Sequence, residues 1–155
     1  MSLKTAESVN VLNNNFFIES QLERRELPAA LNAATISTAL FLDISEMRAN
    51  SANKFFDALA AEKPIMINYG GWMYDLVQTH GCGLAMWRVP LKEVAIELNA
   101  KIHDIEWLDQ ASKASSSLAD NQFDRNILAN QLLKVIECTY QGRPNEAEAI
   151  APGIY

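Results

Sequence analysis

The chain has 155 residues, with 13 Lys+Arg against 19 Asp+Glu for a formal net charge of −6, and it is 49% hydrophobic and 21% charged. That composition excludes a disordered or fibrous protein and fits one ordinary domain, which at this length buries roughly 68–70% of the surface its unfolded form exposes and needs no disulfide or metal staple. The acidic balance, with pI ≈ 4.9, leaves no basic stripe to displace counterions, so neither nucleic acid nor an anionic membrane is expected as a partner.

From Ser8 to Glu26 the apolar residues Leu12, Phe16 and Leu22 keep a roughly helical spacing, although Asn13-Asn14-Asn15 is a weak helix former. The doublet Arg24-Arg25 is cancelled by Glu23 and Glu26 and reads as a solvated helix face. The first fifteen residues lack the apolar core of a secretory signal, and the uncharged stretch Leu27–Leu42 is shorter than the ~20 residues of a membrane span. Cys82 and Cys138 lie far apart without a paired spacing, so a reducing, cytoplasmic location is expected.

After Pro28, Leu31, Ile36, Leu40, Ile44 and Met47 recur at helical steps among five alanines, which predicts a helix with a wide apolar face. Ser51 can cap a short helix carrying Phe55, Phe56, Leu59 and Ala60 and ending at Glu62-Lys63. From Pro90, Leu91, Leu98 and Ile105 repeat every seven residues with Val94, Ala95, Ile102 and Leu108 between them. That pattern predicts an amphipathic helix, in a bundle core or in an intermolecular coiled coil. Ser115-Ser116-Ser117 reads as a polar connection. A last helix carries Phe123, Ile127, Leu128, Leu132, Val135 and Ile136, capped by Asp120 or Asn121 and stopped near Gly142 and Pro144. The expected fold is therefore all-α: a single bundle of five or six helices over residues 1–142, followed by a mobile tail, 143–155, whose Glu146, Glu148 and Tyr155 form at most a docking segment.

One segment departs from this pattern. Between Pro64 and Arg88 only Asp75 and Arg88 are charged, and four of the six glycines, two of the three tryptophans, Tyr69, Tyr74, three methionines, Cys82 and His80 fall there. It reads either as the apolar central helix of the bundle or as a turning chain. In the turning version, residues 65–69 and 84–89 form two short strands around a helix at 72–80. Adjacent Gly70 and Gly71 weigh against a plain helix by about 2 kcal/mol, and Gly81 permits a left-handed helix end.

Chemistry is sparse. Cys82, between two glycines and two positions from His80, is the only candidate nucleophile, and it requires a stabilised thiolate. The four soft ligands His80, Cys82, His103 and Cys138 could make a tetrahedral zinc site only by converging from distant positions, so no metal and no cofactor are expected. Glu93, Glu97, Asp104, Glu106 and Asp109 read as a solvated face, and His103 is assigned no role. No phosphate loop, dinucleotide fingerprint, serine elbow or metalloprotease motif is present. The leading expectation is a non-catalytic, acidic protein-interaction module (adaptor, chaperone or immunity-like protein) whose partner is a protein of basic character. Tyr69, Trp72, Tyr74, Trp87 and Arg88 are its binding residues. The alternatives are a small-molecule enzyme or redox protein using Cys82, and a structural subunit of a homo-oligomer.

Overall fold

The computed structural model describes residues 3–150. The chain divides into two compact units, one ending at Ala30 and the other beginning at Leu31. In the first, α1 (Leu3–Ser8) is followed by turns and a bridge between Leu12 and Phe16. The helix expected from Ser8 to Glu26 does not form. Asn10 and Asn13 take positive φ angles of 56° and 59°, a conformation that asparagine tolerates and a helix cannot contain.

The second unit corrects the all-α expectation. It is built on a three-stranded, wholly parallel sheet in the order β1 (Ser37–Ala39), β2 (Ile65–Ile67), β3 (Gly83–Ala85), with about 59% of the described residues helical. The register is even: Ser37, Ile65 and Gly83 lie side by side, as do Ala39, Ile67 and Ala85, so the three carboxyl ends finish together. Parallel neighbours require a crossover. The first contains a 3-10 helix (Ser45–Ala49) and α3 (Asn53–Ala60), and the second is α4 (Trp72–His80). Consecutive strands joined in sequence order by helices make a βαβαβ unit.

The strands follow from the sequence. Ile65-Met66-Ile67 is apolar at every position and buried on both faces, the signature of a central parallel strand. Gly83 abuts it so closely that a Cβ there would strike the Ile65 carbonyl, so only glycine lets β3 approach. The continuous helix expected from Leu31 to Met47 resolves instead into α2 (Leu27–Ala33), which runs across the division between the units, then β1 and the 3-10 helix. The β-branched residues Thr35, Ile36 and Thr38 outweigh the surrounding alanines.

The heptad helix is also two helices, α5 (Leu91–Lys101) and α6 (Ile105–Gln122), because Asp104 caps the second by accepting from the Trp107 amide at 2.9 Å. Leu91 and Ile105 are exposed, so the seven-residue stripe is not the buried face. α6 instead turns Ala111, Ser115 and Leu118 inward, and the serine run lies within it rather than connecting helices. Ser115 Oγ shares its proton between the carbonyls of Lys63 (3.0 Å) and Cys82 (3.3 Å), while Ser112 and Ser116 bond to Glu62. These hydroxyls tie α6 to the sheet. α3, α4 and α6 enclose the core of Phe55, Leu59, Ile65, Ile67, Tyr69, Met73, Val77 and Leu118. α7 (Arg125–Tyr140), capped by Asp124, packs on α8 (Pro144–Ile150), which forms where the sequence shows no period. Pro152 and Tyr155 lie outside the described residues. No described helix is long and apolar enough to cross a membrane.

Candidate functional site at the carboxyl edge of the sheet

The even register brings three loops together: Leu40–Asp43 after β1, Asn68–Gly71 after β2 and Met86–Arg88 after β3. The Asn68 side-chain amide joins the first two, accepting from the Phe41 amide at 2.8 Å and donating to its carbonyl at 2.9 Å. Phe41 meets the Tyr69 ring edge-on at 5.0 Å.

Gly70 and Gly71 are the turn into α4. The Trp87 ring lies over Gly70 so closely that a Cβ would be 2.7 Å from it, and Gly71, at φ 107°, sits against the Arg48 carbonyl. Gly71 is also the N-cap of α4 and offers no side-chain acceptor to the first-turn amides. Trp87 is the centre of a polar cluster: its Nε1 donates to Asp43 Oδ1 at 3.2 Å, and the Arg48 and Arg88 guanidiniums lie 5.1 and 4.7 Å from its ring centroid. Asp43 also holds Arg88 Nε at 3.6 Å, and Tyr74 meets the indole edge-on at 5.9 Å. Arg88 occupies a left-handed backbone conformation, φ 58°.

All five residues singled out in the sequence therefore lie at or just beyond the carboxyl ends of β2 and β3, but they divide by environment. Tyr69 is buried, its hydroxyl directed at Met73 Sδ (3.1 Å) and its pKa pushed up to about 12 by burial. Trp72 is half-buried, donates to the Asn50 carbonyl at 3.1 Å and completes an aromatic cluster with Phe55, Phe56 and Phe123. Tyr74 and Trp87 are half-buried and Arg88 is exposed. Arg48, Asp43 and Asn68 were not singled out by the sequence; the available signal was β1, whose recognition places Asp43 and Arg48 beyond a strand end.

Cys82 lies at the opposite, amino end of β3 and is fully buried. Burial pushes its thiol up to about 11, away from the thiolate a nucleophile needs. His80 is exposed, with Nε2 3.4 Å from Gln122 Nε2, and His103 Nδ1 faces the Asn99 carbonyl at 2.7 Å. Among the described residues no group of three His, Cys, Asp or Glu side chains could hold a metal ion. A cleft of about 340 Å³ between α3, α6 and the start of α7 is lined by Phe56, Asp57, Glu62, Asp120, Phe123 and Asp124 among others, and touches none of the carboxyl-edge residues. Comparison with known proteins finds no family model that matches the chain, and no curated protein or solved structure that resembles it.

Proposed function

We propose that this chain is a binding module without covalent chemistry of its own, and that its ligand seats at the carboxyl edge of the sheet through an anionic group. One observation carries the reading: three parallel strands end together beside the uncapped start of α4, with Arg48 and Arg88 stacked on Trp87 above it. The loops beyond the carboxyl ends of parallel strands are the usual ligand-bearing edge of such sheets; the order β1-β2-β3 contains no reversal to open a crevice there, so the free amides of the helix start, which favour negative charge, and the two guanidiniums support the reading. The expectation of a basic protein partner rests on net charge alone, whereas the local guanidiniums suit an anion. The Cys82 alternative draws no support from a buried, high-pKa thiol.

The test is a titration with inorganic phosphate, followed by tryptophan emission and calorimetry. Arg48→Ala and Arg88→Ala should each weaken binding by about tenfold or more, the worth of one charge-assisted hydrogen bond. Phosphate binding that is absent, or untouched by both substitutions, contradicts the proposal.

A further inference from the structure

We propose that the outward face of α7 is the contact between two copies of this chain, packed antiparallel about a two-fold axis. α7 is turned the unexpected way round. Gln131, Val135 and Cys138 face inward, while Leu128, Leu132, Ile136 and Tyr140, at four-residue steps, face solvent together with Leu133. These five side chains are between 42% and 92% exposed. At 100° per residue they form one apolar stripe covering roughly 140° of the helix, the width that a surface helix normally buries.

Area and charge select the occupant. The stripe presents on the order of 600–700 Å² of side-chain surface, above the largest apolar patch of most monomers and close to the roughly 800 Å² per partner of a standard interface. A row of constant four-residue step also maps onto itself when reversed, so Leu132 meets Ile136 of the second copy and Leu128 meets its Tyr140. Two chains of net charge −6 repel. Among the described helices of nine residues or more, α7 alone is net positive, with Arg125 and Lys134 against Glu137. Approach along α7 is therefore where like copies repel least.

The full chain is examined by sedimentation equilibrium beside Leu132→Glu, Ile136→Glu and Leu91→Glu, the last a still more exposed leucine on α5. Circular dichroism checks that each variant folds. The wild type should dimerise, the two α7 variants should raise the dissociation constant by about tenfold or more, and Leu91→Glu should leave it unchanged. The double variant Leu132→Cys/Ile136→Cys needs no charge in the stripe and should give a covalent dimer on oxidation. A wild type that stays monomeric, a dimer indifferent to the α7 charges, equal loss in Leu91→Glu, or a dimer whose double-cysteine variant does not cross-link would each overturn the proposal.

Discussion

Residues 64–88 and helix α7 are both rich in apolar side chains, yet the fold treats them oppositely. In the first, Ile65, Ile67, Tyr69, Met73, Val77 and Cys82 are all inaccessible or nearly so; in the second only Cys138 is buried. The difference lies in topology. A parallel sheet must be covered, and the crossover helices that make it parallel pack onto it as they form. α7 enters no crossover and has α8 as its principal neighbour. Apolar content thus says that an element will be covered, and connectivity decides whether its own chain does the covering.

The sharpest contrast is between two isoleucines. Ile67→Ala should destabilise the chain by about 2–5 kcal/mol, because removing a fully buried β-branched side chain leaves a cavity in the core packed against the face of β2. Equilibrium urea unfolding measures it, and a cost below 1 kcal/mol would place Ile67 outside the core. Next comes Gly83→Ala, expected to cost about 1–3 kcal/mol by pushing β3 away from the Ile65 carbonyl. If the variant unfolds at the wild-type urea midpoint, the close approach of these strands is wrong.

Alkaline titration follows. The folded-state pKa of Cys82 is raised to about 11, so between the ordinary thiol range and that value the unfolded chain loses a proton that the folded chain keeps. Stability should therefore fall as pH rises from about 9 to 11, by up to about 1.4 kcal/mol per pH unit, and Cys82→Ala should flatten that slope. Tyr69, raised to about 12, extends the decline from pH 10 upward. Alkylation of native Cys82 should be slow at neutral pH; rapid modification of the folded chain would show an accessible thiol and reopen the nucleophile reading. The smallest effect is Ile136→Ala on α7. At protein concentrations too low for self-association it should change stability by no more than about 0.5 kcal/mol, in contrast to its counterpart in β2.

Part of this was legible in the sequence. The glycine pair at 70–71, the left-handed stop at Gly81 and the apolar run after Pro64 define β2, α4 and β3 to within a few residues of the turning version. The gathering of Tyr69, Trp72, Tyr74, Trp87 and Arg88 follows from that segment alone. β1 was hidden because three residues among alanines also match a helical spacing, and with it went the loop that brings Asp43 and Arg48 to the site. The serines of α6 misled for a different reason. Serine disfavours helix interiors by competing for backbone hydrogen bonds, but here Ser112 and Ser115 spend their hydroxyls on carbonyls of the connections leading into β2 and β3. The α7 face was visible as a stripe; which way it points depends on neighbours that no local pattern encodes.

The most direct test of the carboxyl-edge site is amide chemical-shift mapping of the full chain during titration with inorganic phosphate. Resonances of Gly70–Tyr74, Trp87 and Arg88 should move together and saturate. Shifts confined to the α3–α6 cleft or to α7, or no shifts at all, would contradict it.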